Sequence, residues 1–195
     1  MTKVEIVIDA DVIIHFAKAG YLHKLPEIFP EYAYVILSVV YEEVLPPIKK
    51  QLDNTIALLG KLQVCPFEPK GEMKREYALL RTKFGKGESA CMAYCRFTNN
   101  VIGSSNLKDI KDYCQENGVT YLTTIDFLYY AIQRGHMSIA EAQQFVRHTC
   151  AEFKFDVLCK PFGYLTFALD VISDVLASEW NGSIMTHDFA VIYCH

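Results

Sequence analysis

The sequence predicts an α/β protein: a three-layer α/β/α sandwich with a mostly parallel central sheet and a C-terminal helical extension. Three observations carry this reading. Short apolar runs at 4–8, 34–37, 101–104 and 119–122 read as strands. Near-continuous apolar runs mark parallel strands covered on both faces. A helical pattern follows each run, and alternating strands and helices build a parallel sheet with helices on both sides. Finally, polar residues gather just after the runs, at Asp9, Glu42, Glu43, Ser105 and Asn106. In open α/β sheets, ligands bind outside the carboxyl ends of the strands.

The elements follow in order. The first strand ends at Asp9, which still belongs to the apolar run, so an N-cap role suits Asp11 better than Asp9. A carboxylate at a buried strand end is costly unless it has a partner or a metal. A helix is expected over 12–20, closed by Gly20, and a second over 21–28, stopping before Pro30. After the strand at 34–37, Ser38 is the expected N-cap of a helix running through Val44. Pro46 and Pro47 are expected to break or kink the chain before a helical pattern resumes over 49–62. Residues 62–65 form a short extra strand. Residues 71–84 read as a charged, exposed helix, and 89–97, small and apolar, as a buried one.

A helix over 107–117 ends at Asn117-Gly118, a fitting stop signal. After the strand at 119–122 comes a helix over 124–134, closed by Gly135. Ser138-Ile139-Ala140-Glu141 is a capping box opening a helix to about 148. This defines a domain at 1–149 and an extension at 150–195. In the extension, Phe162, Leu165, Leu169, Ile172, Val175 and Leu176 recur at helical spacing. The amphipathic helix this implies, over 162–180, needs a surface to cover, either the domain or a dimer partner. Residues 184–194 are a candidate edge strand.

The totals exclude some classes. A chain of 195 residues, 51% hydrophobic and 22% charged, is of ordinary globular composition. No signal peptide is read at the start. No run of about 18 apolar residues is free of charge, so no membrane span is expected. Seven cysteines, an odd number in no framework spacing, are expected as reduced thiols in a cytoplasm. The net charge of −4 is unevenly spread: residues 49–86 hold nine basic and four acidic residues, so that stretch is +5 and the remainder −9. Such a run is either a solvated helix face or a phosphate-binding edge. Lys83, Lys86 and Lys108 are the candidate nucleic-acid contacts.

In a parallel sheet, Asp9, Glu42, Glu43, Glu88, Ser105, Asn106 and Asp109 share one rim. Carboxylates held together repel unless cations neutralise them. Oxygen-only donor sets favour Mg²⁺ or Mn²⁺, ions that activate water and stabilise phosphoryl transition states. The competing explanation is that helix N-termini attract acids anyway. Elsewhere, Cys91 and Cys95 share a helix face, but no second pair completes a zinc site and buried cysteine is the common case. His15 lies in an apolar helix and is expected to be packed. Gly85-Lys86-Gly87 lacks the spacing of a phosphate loop.

The sequence also resembles a family. Val7-Ile8-Asp9-Ala10-Asp11-Val12-Ile13-Ile14 is similar to the start of a PIN domain. Ser38-Val39-Val40-Tyr41-Glu42-Glu43-Val44-Leu45 and Gly87-Glu88-Ser89-Ala90-Cys91-Met92-Ala93 resemble its next two motifs. The stretch Gly118–Thr124, followed by Leu128, Ala131, Arg134-Gly135 and Ser138, resembles its closing β-α-α segment. No one motif is specific; four in order at this spacing are. The resemblance implies a Mg²⁺/Mn²⁺-dependent ribonuclease acting on RNA, and often the toxin half of a toxin–antitoxin pair. By position it implies Asp9, Glu43 and Glu88 as catalytic metal ligands, with Asn106 and Asp109 as further ligands and Asp11, Glu42 and Ser105 behind them. The expected partners are RNA, an antitoxin protein and a second copy of the chain, forming a homodimer. One departure stands out: the family places one or two aspartates after the third main strand, where this chain has Ser105-Asn106. The alternative is therefore a non-catalytic PIN-like binding protein with a degenerate metal site.

Overall fold

Five short strands, β1 (Glu5–Ile8), β2 (Ala33–Leu37), β3 (Leu62–Cys65), β4 (Val101–Gly103) and β5 (Tyr121–Leu122), form one sheet. Their order is β3-β2-β1-β4-β5, and every neighbouring pair is parallel. The computed structural model describes residues 3–152. The expected helix at 162–180 and edge strand at 184–194 lie outside those residues. β1 is central, with Val7 in register with Val35 on one side and Ile102 on the other. The chain runs outward from β1 through β2 and β3, then returns to add β4 and β5 on the opposite side. The sheet's topological switch point therefore lies between β1 and β4, where a crevice opens beyond the strand ends.

The helices are α1 (Ala10–Lys18), α2 (Ser38–Glu43), α3 (Pro46–Leu59), α4 (Gly71–Leu80), α5 (Lys86–Thr98), α6 (Leu107–Asn117), α7 (Thr124–Gln133) and α8 (Ile139–Glu152). A 3-10 helix at Leu22–Glu27 takes the place of the α-helix expected there. α5 packs on β1, β2 and β4, while α1 packs against α3 and α8. The fit of α5 depends on its composition: Gly87, Ser89, Ala90 and Ala93 are all buried, and small side chains let its backbone approach the sheet. On α1, Phe16 meets Phe127 and Phe145 edge-on, with ring centroids 6.1 and 4.8 Å apart. Each such ring contributes on the order of 2–3 kcal/mol by burial.

Several boundaries differ from the sequence expectation for local reasons. α1 starts at Ala10 because Asp9, not Asp11, is the N-cap: Asp9 is extended and its Oδ1 accepts from the Ala10 N–H at 2.8 Å. Ser38 is already helical, and its hydroxyl instead accepts from the Phe67 N–H across to another segment. The helical path breaks between α2 and α3 as expected, at the extended Val44 and Leu45, and Pro46 and Pro47 themselves open α3. The first turn has no intrahelical use for their missing N–H groups. The helix expected over 71–84 stops at Leu80, and residues 81–84 form a turn held by bonds from Lys83 N and Phe84 N to the Leu80 carbonyl. The capping box is as expected: Glu141 N–H donates to Ser138 Oγ and Ser138 N–H to Glu141 Oε2. Lys24 also bonds Glu141, tying the 3-10 helix to α8. Cys65, Cys91, Cys95 and Cys114 are free thiols. Among the described residues, no helix is long and apolar enough to cross a membrane.

Candidate functional site

The site forms where β1 and β4 end side by side, with Ile8 opposite Gly103. The Asp9 N–H bonds the Gly103 carbonyl at 2.8 Å, so the two chains leave the sheet together. This pairing brings Asp9 and Asp11 from the first crossover against Ser104, Ser105 and Asn106 from the other. Ser104 Oγ lies 3.3 Å from Asp9 Oδ2 and 3.2 Å from Asp11 Oδ2. A hydroxyl has one hydrogen, so Ser104 satisfies only one of these carboxylates at a time. Asp11 is better supplied, accepting from the Ser105 and Val12 N–H groups at 2.7 and 2.6 Å.

Asp9 is only 7% exposed. Burial pushes its carboxyl up to about 8, and the charges of Asp11 and Glu88 add to the rise. Burial also raises Asp11, against the lowering effect of its hydrogen bonds. Glu88 enters from the first turn of α5 and is 8% exposed. Burial, with Asp109 next, lifts it to about 7. The Asn106 amide nitrogen donates to Glu88 Oε1 at 2.7 Å and to Asp109 Oδ2 at 2.8 Å. Asn106 thus stands between two carboxylates as a neutral bridging donor.

Glu43 lies at the edge of this network. It is exposed, and its Oε1 accepts from the Gly87 N–H at 2.9 Å, capping α5 from α2. Gly87 makes that approach possible: a Cβ there would fall 2.5 Å from Glu43 Oε2 and 3.1 Å from Val40 Cγ2. Glu42 is exposed and pairs with Lys86 at 2.9 Å. Lys83 and Lys108 are exposed, on the turn after α4 and the first turn of α6. The structure therefore joins Asp9, Asp11, Glu88, Asn106 and Asp109 in one network and sets Glu43, Glu42 and the lysines around it.

Three participants escaped the sequence reading. Ser104 counted as strand, Thr124 as a helix start and His15 as packing. Ser105 Oγ donates to Thr124 Oγ1 at 2.7 Å, and His15 Nδ1 lies 2.9 Å from the same oxygen. The available signal was position: Ser104 and Thr124 are hydroxyls at the carboxyl ends of adjacent strands.

The donor chemistry fits a hard divalent cation. Every side chain in the acidic network offers oxygen. Among the described residues, no lysine or arginine forms an ion pair with Asp9, Asp11, Glu88 or Asp109. Among the same residues, no three of Asp, Glu, His and Cys already surround a single point as a ready-made cage. The fit lies in the donor type and in buried carboxyls that no base pairs with among the described residues.

The fold and the site together define a parallel α/β sandwich with an acidic network at its topological switch point. The chain belongs to the PIN-domain family: a family model described as a PIN domain matches residues 5–152. Among solved structures, it is similar to a chain in the crystal structure of VapBC2 from Rickettsia felis bound to a DNA fragment from their promoter. The two are 14% identical with a TM-score of 0.45, covering 62% of this chain and 98% of that one. No curated protein matches.

Proposed function

We propose that this PIN-domain protein is a Mg²⁺- or Mn²⁺-dependent endoribonuclease. The observation that carries the reading is the buried, unneutralised pair Asp9 and Glu88, whose carboxyls are pushed up to about 8 and about 7 at the switch point of the sheet. A site that strains to keep its acids ionised is built for a counter-charge. Asp9, Glu88 and Glu43 would hold the cation, with Asp109 and the Asn106 carbonyl as further donors. The chemistry a bound Mg²⁺ or Mn²⁺ supplies there is activation of a water and relief of charge on a phosphodiester. The protein's own residues do the rest. Ser104 and the Ser105 N–H orient the two aspartates. Asn106 holds Glu88 and Asp109 in one place. Lys83, Lys86 and Lys108, all exposed, would meet RNA phosphates, Lys86 exchanging Glu42 for a phosphate oxygen as RNA arrives.

Family membership supports two finer proposals: that the protein is a toxin held by an antitoxin protein, and that it works as a homodimer in the cytoplasm. We assign residues 1–149 to the PIN-like domain and 150–195 to an appended extension.

The test is cleavage of a mixed-sequence RNA with Mn²⁺, using Asp9→Asn as control. We expect wild type to cleave slowly and Asp9→Asn not at all. One observation favours a second reading, a PIN-like binding protein without catalysis: Asn106 supplies an amide where a further carboxylate would add charge. Equal cleavage by wild type and Asp9→Asn would select that reading.

A further inference from the structure

We propose that His15 is a positioning residue that, through Thr124 and Ser105, fixes the Asp11 carboxylate at the edge of the acidic site. The proposal rests on the metal-dependent reading above. The hydrogen bonds run as a chain from Asp11 to His15, two residues that α1 itself connects. Asp11 and His15 are four residues apart on α1, so both side chains lie on one face of that helix. Ser105 follows β4 and Thr124 follows β5. Starting at the acid, Ser105 N–H donates to Asp11 Oδ2 at 2.7 Å. Thr124 N–H donates to Ser105 Oγ at 2.8 Å, and the Ser105 hydroxyl donates to Thr124 Oγ1 at 2.7 Å. His15 Nδ1 lies 2.9 Å from Thr124 Oγ1, the last contact of the series.

Thr124 N–H can only donate, and the Ser105 hydroxyl donates to Thr124 Oγ1. In the proposed arrangement His15 is the tautomer with its hydrogen on Nε2, so that Nδ1 accepts the Thr124 hydrogen. That role requires a neutral imidazole, and burial holds His15 down to about 4. His15 and Thr124 are both buried. An apolar side chain beside Val12, Ile13 and Phe16 would cost less desolvation. What the imidazole adds is an acceptor that locks two hydroxyls and stitches the ends of β4 and β5 to α1. Partners that orient a ligand from behind typically set metal affinity by tenfold or more.

The test uses the full chain: Mn²⁺ titration followed by the EPR signal of free Mn²⁺, melting in EDTA, and hydrogen exchange at the Ser105 amide. Wild type, His15→Leu, His15→Asn, Thr124→Val and Asp9→Asn are compared. His15→Leu and Thr124→Val should weaken Mn²⁺ binding about tenfold, speed Ser105 exchange, and leave the melting temperature near wild type. His15→Asn should come back toward wild type, because Asn Oδ1 sits near the place of imidazole Nδ1. A His15→Leu protein with wild-type Kd and wild-type Ser105 exchange would reduce His15 to packing and overturn the proposal. So would a His15→Asn variant as weak as His15→Leu, since the acceptor would then not be what matters. If wild type binds Mn²⁺ no better than Asp9→Asn, the metal reading falls, and the role of His15 at the site falls with it. Ser105 exchange then reports separately whether the chain of bonds itself exists.

Discussion

Asn106 is the residue at which the site's balance is most easily shifted. Its amide donates to Glu88 and Asp109 at once. Replacing that nitrogen by a carboxylate oxygen turns two attractions into two repulsions and adds one negative donor. Asn106→Asp should therefore lower metal-free stability by about 1–2 kcal/mol, the scale of a lost charge-assisted bond. With Mn²⁺ the sign reverses, because charge now meets charge. We expect tighter Mn²⁺ binding and RNA cleavage severalfold above wild type. Cleavage no higher than the Asp9→Asn control in both proteins would end the nuclease reading. Asp9→Asn itself should behave in the opposite way. It keeps an oxygen to cap Ala10 and, above the pH near 8 at which Asp9 ionises, removes a buried charge beside Asp11 and Glu88. In EDTA at such a pH its melting temperature should rise, corresponding to about 1–3 kcal/mol. A fall would make Asp9 a structural group instead.

At the scale of elements, the site depends on how closely β4 sits against β1. Gly103 makes that approach. A Cβ there would lie 2.7 Å from Ile8 Cδ1 and 3.4 Å from the Phe127 ring. Ile8 is fully buried, so its side chain must repack against the core to make way. Gly103→Ala should cost about 1–3 kcal/mol by overpacking. It should also weaken Mn²⁺ binding, because the Gly103 carbonyl holds the Asp9 N–H. A variant with wild-type stability and affinity would show that the strands part freely. Elements were also where the sequence was most legible. Four apolar runs separated by helical periods point to the main strands and to a parallel sheet, while β3, with Gln63 and Val64 exposed, leaves no such run, and the strand order is visible only in the fold. What periodicity could not show was which hydroxyl meets which acid. Asp9 looked like strand because its cap bond to Ala10 is local and leaves no pattern. Ser104 looked like an ordinary strand residue and Thr124 like a helix start until β1, β4 and β5 were aligned. His15 looked apolar by company, and its contact with Thr124 reaches across 109 residues.

For the whole molecule, these carboxyls predict how stability depends on pH. Asp9 rises from 3.8 to about 8 and Glu88 from 4.5 to about 7 in the folded protein. Between those values the folded state keeps protons that the unfolded state releases. Stability therefore falls as pH rises through that window. His15 acts the other way: lowered from 6.5 to about 4, it makes the folded state bind fewer protons there, and stability rises with pH between those two values. The opposing effects overlap below pH 6.5, and above it only the acids remain. In EDTA, the melting temperature should drop by a few degrees between pH 6.5 and 8.5, as a change of about 1–2 kcal/mol produces in a chain of this size. Asp9→Asn should flatten most of that slope. With millimolar Mn²⁺ the slope should reverse, because a cation binds the ionised carboxylates and so competes with protons. The comparison of the two curves separates a metal site from a merely buried acid pair. Parallel curves with and without Mn²⁺ would show that the acids titrate without holding the ion. A metal-free curve that is flat or rising above pH 6.5 would show that Asp9 and Glu88 are not held protonated by burial at all.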